Sequence, residues 1–538
     1  MTEGIKRIPL DERFLKGFKE LLLRFRVPLI SSLVCGLAAH MFVFTDKLAN
    51  WDEISYIFGK GVTISSGRWG LELCSFIFPD FSMPWLWGIV SLALLAVSAC
   101  FVISMFGIRS PILQALLAGV FVSFPSTVSI FAYMFTSTSY MLAVLLAVLS
   151  VYLLSRLRNT TGVLSRSKYI IPAVFCLTFA TGIYQAFFAV AASLLVVLIV
   201  RDLLLSDDST GRIVCRGLMY VVFLAVCAAA YFAVVLLSLK LTGIGLNSYA
   251  EEHLHSEAGL ITRLMQMYKI FLSIFVYGTY GIIGNKVSFV AHLVLMIAGI
   301  AAFILAAAYR KMKPLRFALC GICVLIFLPI ATNCVMLPNP GNSHTIMIYG
   351  FTAVYVLLAA VTDAGISMVK TERFSEIARA VAMLSLAAII AANVFTANKA
   401  YLQLKLKTDG DRAYYTSILT QINNTEGYDA DCKVAAIGKD VNIDTFTEDF
   451  GIRKLMGYDK FSPRGDSFFE KYMSNMLCAD MKFASFEEMS NIAVTEEFAE
   501  MPCYPYYGYV RKIGDYIVVK LGDELTPEMR EYDSGLWN

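Results

Sequence analysis

The 538-residue chain is 57% apolar and only 16% charged, with a mean hydropathy of +0.64 and a formal net charge of +3. An ordinary soluble domain carries roughly a quarter of its residues charged, so the composition excludes that class. The small net charge excludes an electrostatic nucleic-acid binder, and no nucleic-acid partner is expected. The apolar residues gather in runs of roughly 18 to 25, the length a helix needs to cross a hydrocarbon core of roughly 30 Å.

Residues 1–26 hold Lys6, Arg7, Arg13, Lys16, Lys19, Arg24 and Arg26. They carry too many charges for a cleavable signal peptide and read as a cytoplasmic amphipathic segment lying on the inner membrane surface. The expected spans are 27–44, 85–106, 112–133, 140–157, 169–200, 218–241, 287–308, 317–337, 345–368 and 381–397. Basic loops set the orientation. Arg156, Arg158, Arg166 and Lys168, then Arg310, Lys311, Lys313 and Arg316, are expected on the cytoplasmic side. The stretch 169–200 has basic loops on both flanks, at Arg166 and Lys168 and at Arg201, Arg212 and Arg216. It must cross twice, folding back at Thr181-Gly182-Ile183-Tyr184-Gln185 on the outer side. The result is a polytopic α-helical membrane protein of about eleven transmembrane helices, its N-terminus cytoplasmic. Residues 27–398 form the membrane part, and 399–538 a small extracytoplasmic α/β domain.

In that last part, 432–438 reads as a buried strand. Two further strands, 509–513 and 516–521, flank a Gly514-Asp515 hairpin turn, and 484–501 reads as an amphipathic helix. Cys432, Cys478 and Cys503 could include one disulfide. Cys320 and Cys323 form a CxxC inside an apolar helix, where packing is the expected role. His40 and His292 lie within spans, where a polar group usually has a partner inside the bundle.

The densest polar set near a membrane face is the first outer loop, 45–84. Asp52 and Glu53 follow the first span closely, and Arg68 comes sixteen residues after Asp52. A carboxylate there can take the proton of an acceptor hydroxyl, and an arginine can fork two hydrogen bonds onto a phosphate. Loop packing with a structural ion pair is the bland alternative. Tyr184 and Gln185 at the fold-back are candidates to touch a sugar hydroxyl, or else to satisfy broken backbone. His344 faces the same side as Asp52 and could meet a phosphate, with a helix cap as the alternative. Glu251, Glu252, His253 and His255 read as a solvated surface rather than a metal site.

The run WDEISYIFGKGVTISSGRWGLELCSFIFP, with Phe124-Pro125-Ser126, Phe131-Ala132-Tyr133 and Gly182-Ile183-Tyr184-Gln185, resembles the bacterial GtrII-type membrane glucosyltransferases over roughly residues 27–400. The resemblance implies a GT-C-like fold in the bacterial plasma (inner) membrane. It also implies a polyprenyl-phosphate-sugar donor and a cell-surface glycan acceptor on the extracytoplasmic face. Carried over by position, Asp52 and Glu53 become the catalytic acids and Arg68 the loop arginine. Inverting transfer would then use Asp52 or Glu53 as base, with Arg68 and Lys60 on the leaving lipid phosphate. No cofactor is required, although a carboxylate pair can hold a divalent metal. A transporter or flippase of lipid-linked saccharides is the rival reading. It predicts midplane ionisable groups and paired halves, neither of which the sequence displays.

Overall fold

The computed structural model describes residues 10–78, 81–248, 250–251, 258–275, 286–340, 343–368, 372–439, 452, 455–458 and 465–524. Among them, eleven helices are long and apolar enough to cross a membrane, which makes the chain a multi-pass membrane protein. Helix α1 (Leu10–Arg24) precedes the first of these, α2 (Arg26–Thr45). Leu15, Phe18 and Leu22 form an exposed apolar stripe on α1 at helical spacing, with Lys16 and Lys19 between them.

Turn chemistry sets the element boundaries that follow. Asn50 caps α3 (Trp51–Tyr56), its side chain accepting from Glu53 N. After α4 (Trp69–Cys74), Pro84 opens α5 (Pro84–Phe106), which ends at a left-handed Gly107. Ser110 caps α6 (Pro111–Ser123), and Pro125 restarts the chain as α7 (Pro125–Phe131), so one crossing is made of two helices. There follow α8 (Met134–Arg156), α9 (Val163–Ile183), α10 (Phe188–Leu205) and α11 (Thr210–Thr242).

The double crossing is present, but not as two short halves of 169–200. Helix α9 starts at Val163, and the second crossing runs to Leu205, so each has 21 residues and full length. The polar residues Ser165, Arg166, Ser167 and Lys168 belong to the first turns of α9, which is why hydropathy alone trimmed it.

After α12 (Leu260–Phe275) and α13 (Lys286–Tyr309), the next crossing is α14 (Pro314–Ile322), a π-helical turn at Cys323–Phe327, and α15 (Leu328–Thr332). Pro329 has no N–H to give to the preceding turn, and the ladder widens just ahead of it. Then come a 3₁₀ turn at Thr345–Phe351 and α16 (Thr352–Met368).

The last span departs most from expectation. Helix α17 (Glu372–Asn423) is one unbroken rod of 52 residues, where the sequence suggested a stop at 397. Asn398 is still level with α2, donating to Ala38 O at 3.0 Å, and Lys405 pairs with Asp46 at 3.3 Å where α2 ends. The rod continues beyond the bundle and becomes part of the core of the C-terminal segment.

That segment is built on a four-stranded sheet in the order β2-β1-β4-β3, from β1 (Lys433–Ile437), β2 (Lys482–Phe483), β3 (Val510–Ile513) and β4 (Tyr516–Lys520). β1 is parallel to both neighbours, and β3 and β4 form the expected hairpin about Gly514, at φ +57°. Helix α18 (Asp466–Met476) is an element the sequence reading missed. The expected helix over 484–501 is two, α19 (Phe486–Ala493) and α20 (Glu496–Ala499), because Thr495 caps a fresh start by accepting from Phe498 N. All twelve cysteines are unpaired, including Cys432, Cys478 and Cys503.

Contacts sort the loops into two ends. At one, Arg158 (3.2 Å), Arg201 (2.8 Å) and Arg216 surround Asp202, Arg310 meets Asp207 at 3.1 Å, and Arg316 donates to Ser206 O at 2.9 Å. The basic loops read as cytoplasmic therefore share one end. His40 ties three helices together inside the bundle, with Tyr401 Oη at 2.6 Å and Val122 O at 2.7 Å. His292 joins two, meeting Tyr355 Oη of α16 at 2.8 Å and Ser288 O of its own helix at 2.7 Å.

Candidate functional site

The opposite end gathers the first loop, the α9–α10 fold-back, the α7–α8 link and the C-terminal segment. Asn50 Nδ2 donates to Ala132 O at 2.8 Å, which fixes the start of α3 against the link between α7 and α8. Farther along the loop, a left-handed Gly67 lets the chain turn into Arg68 and α4. Gln185 Nε2 donates to Ser66 O and to Tyr231 Oη, both at 2.9 Å, and Tyr231 donates to Gly67 O at 3.1 Å. Asn247 adds Nδ2 to Ser66 Oγ at 3.0 Å and its backbone N–H to Ser65 O at 2.9 Å. Trp69 lies flat on Gly182, and Gly70 abuts the Gly182–Ile183 backbone so closely that neither glycine has room for a methyl group.

The seam positions Arg68. Its guanidinium sits 5.0 Å from the ring centroid of Tyr184, which in turn stacks on Tyr140 at 4.7 Å and 14°. Three of the sequence candidates, Arg68, Tyr184 and Gln185, are thus brought into one site, and the positive charge of Arg68 acts on a fourth, Asp52. Burial pushes the Asp52 carboxyl up from the usual aspartate value. Arg68 opposes this, the neighbouring Glu53 adds to it, and Lys471 of α18 opposes it.

Glu53 stands apart from Asp52. Its side chain is 0% exposed, and it accepts from Lys47 Nζ and Ser82 Oγ on one oxygen. Lys60 pairs with Glu72, whose other oxygen accepts from Thr63 Oγ1 at 2.7 Å. His344 occupies the N-cap position of the Thr345–Phe351 turn without a side-chain capping bond. Next to it, Thr345 Oγ1 lies 2.7 Å from Ser129 Oγ and accepts from Met456 N at 2.8 Å. Among the described residues no three His, Cys, Asp or Glu side chains converge as a metal site, and Glu252, His253 and His255 lie outside those residues.

Sequence reasoning missed Tyr231, Asn247, Lys47, Ser82 and Lys471. Tyr231 looks like one more residue of an apolar span, and Lys471 is 419 positions from the carboxylate it acts on, so no local pattern marks either.

Comparison with curated proteins and with solved structures yields no match. The family model described as Glucosyl transferase GtrII matches residues 41–362, from the end of α2 into α16. The match includes the first loop, the α7–α8 link and the fold-back, the segments that build the site. A transferase of this kind needs a sugar donor and an acceptor. The chain belongs to the GtrII glucosyl transferase family.

Proposed function

We propose that this protein is an inverting membrane glucosyltransferase of GT-C type. It takes glucose from a polyprenyl-phosphate donor and passes it to a cell-surface glycan on the outer face of the bacterial plasma membrane. On this reading the C-terminal α/β domain and the first loop are extracytoplasmic and the N-terminus is cytoplasmic. The observation that carries it is that, at one mouth of the bundle, the half-buried Asp52 lies within electrostatic reach of an Arg68 held over Tyr184.

In the reaction, Asp52 accepts the proton of the acceptor hydroxyl, whose oxygen attacks the anomeric carbon. The bond from that carbon to the phosphate oxygen breaks, and the lipid phosphate leaves with the bonding pair. Arg68 meets the charge that builds on it with a planar fork, the geometry suited to phosphate. The chemistry belongs to Asp52 rather than Glu53, because Glu53 is sealed away with Lys47 and Ser82. Tyr184 and Gln185 hold the loop that carries Arg68. A phosphate leaves readily once its charge is neutralised, so no cofactor is required, and turnover should persist in EDTA.

The test supplies the purified protein in nanodiscs with polyprenyl-phosphate glucose or with a nucleotide-activated glucose, and follows release of free polyprenyl phosphate. Consumption of the lipid-linked sugar alone is expected. Consumption of the nucleotide sugar alone would overturn the donor assignment.

A further inference from the structure

The first loop closes on itself and is tied to the span that follows it. Ser82 N donates to Ile57 O at 3.0 Å, and Trp87 Nε1, inside α5, donates to Phe81 O at 2.7 Å. A loop ordered in this way and facing water would turn its apolar side chains inward and its charges outward. The opposite is found. Phe58, Leu73, Phe76, Ile77, Phe81 and Trp85 are all exposed, Phe76 by 84% and Ile77 by 67%, while Glu53 of the same loop is wholly buried. Phe58 and Phe81 meet edge to face at 5.9 Å, so this is an organised apolar face rather than a scatter of single residues.

The face is continuous with surface that the membrane spans turn to lipid. At one end, Trp85 and Leu86 are exposed in the first turn of α5. At the other, the Trp69 ring of α4 meets Phe179 of α9 at 5.6 Å, and Phe179 stacks at 5.8 Å on Phe175, which is 64% exposed on that span. Aromatic side chains at the end of a span are the ones that settle at the headgroup level of a bilayer. Glu72, next to Leu73, is held in an ion pair with Lys60, which lowers the cost of bringing both near hydrocarbon. Arg68 immediately precedes α4, so the depth of α4 sets the depth of its guanidinium.

We propose that this face of the first loop is seated in the lipid of the adjoining leaflet, its partner the bilayer surface itself. The seating holds Arg68 at headgroup depth, where it meets the donor phosphate while the polyprenyl chain stays in the bilayer. The link to the donor rests on the donor reading given above, and the seating does not.

The test reconstitutes the full-length protein into vesicles of phosphatidylcholine brominated near the top of its acyl chains. Wild type, Phe76→Trp and Tyr507→Trp are compared, each variant read as the fluorescence it adds to wild type. Tyr507, 99% exposed in the C-terminal segment, is the aqueous control. The signal added by Phe76→Trp should be quenched by the brominated lipid and resist iodide supplied on both sides of the membrane, and Tyr507→Trp should do the reverse. Quenching of Phe76→Trp by iodide and not by the lipid overturns the seating. Protection from both quenchers also overturns it, because protein, such as a second copy of the chain, would then cover the face. Phe76→Ser/Ile77→Ser tests the link to the donor. It should lose about tenfold in kcat/KM for polyprenyl-phosphate glucose in the bilayer, the scale of one apolar side chain withdrawn from lipid. For a short, water-soluble prenyl-phosphate glucose presented in detergent it should match wild type. Equal loss on both donors, or on neither, overturns the link. A wild type that turns over neither lipid-linked sugar overturns the donor reading and the link together, and the quenching result still decides the seating.

Discussion

A carboxylate that is to take a proton from a substrate must be reachable by it, and adjacent positions differ sharply in this respect. Glu53 has no exposed side-chain surface, whereas Asp52 keeps part of its surface open between Arg68 and α18. Asp52→Asn keeps the shape and removes the basic oxygen, so it should abolish turnover while donor binding, measured by retention of labelled lipid, stays near wild type. Glu53→Gln should act differently. It breaks the buried pair with Lys47 and should cost about 1–3 kcal/mol of stability, seen as a lower thermal midpoint in detergent, with folded protein still active. Turnover lost in Glu53→Gln at an unchanged midpoint would reverse the two roles. The pH dependence follows with its sign. The base works unprotonated and burial raises its carboxyl, so activity should fall, as pH drops, above the ordinary aspartate value of about 3.9. A limb at or below that value would separate Asp52 from the rate. The acidic pair and Arg68 were legible in the sequence because all three lie in one short loop. Which acid is open was not, because Lys47 and Ser82 reach Glu53 from the two ends of that loop.

At the scale of elements, the seam between the first loop and the α9–α10 fold-back decides whether Arg68 is placed at all. Gly70 and Gly182 permit contact that any side chain would block. A Cβ on Gly70 would lie 2.7 Å from the Gly182 carbonyl carbon, and backbone there cannot swing aside as a long side chain could. Gly70→Ala should therefore cost about 1–3 kcal/mol and reduce turnover. Gly59→Ala, in the same loop with nothing within 4 Å of its Cβ, should do neither. Equal midpoints and equal rates for the two variants would mean that the seam is not required. The fold-back was readable from basic flanks around a polar break, and the β3–β4 hairpin from Gly514-Asp515. The length of α17 was not. Its outer half is amphipathic, with Tyr401, Leu404, Tyr415 and Ile418 buried and Lys399, Lys405 and Asp409 turned away from the core. A hydropathy window registers such a stretch as the end of a span.

For the whole molecule, α17 is the rod that joins bundle and sheet, and the two share cores rather than meeting through a linker. The first loop, the fold-back and the C-terminal segment must consequently lie on one side of the membrane, and the Asp202 cluster with its surrounding arginines on the other. Two native cysteines report this. Cys478 and Cys215 are both exposed, the first just beyond α18 and the second in the first turns of α11, beside Arg212 and Arg216. An impermeant maleimide applied to intact spheroplasts should label Cys478, and labelling should vanish in Cys478→Ser. Cys215 should react only after the membrane is opened. The positive residues around Cys215 belong inside by the charge rule, and Cys478 follows the helix that packs on the first loop at the opposite end of the bundle. Cys215 reacting in sealed spheroplasts while Cys478 stays protected would invert the molecule. Asp52 would then face the cytoplasm, and a donor presented on the outer face could not reach it.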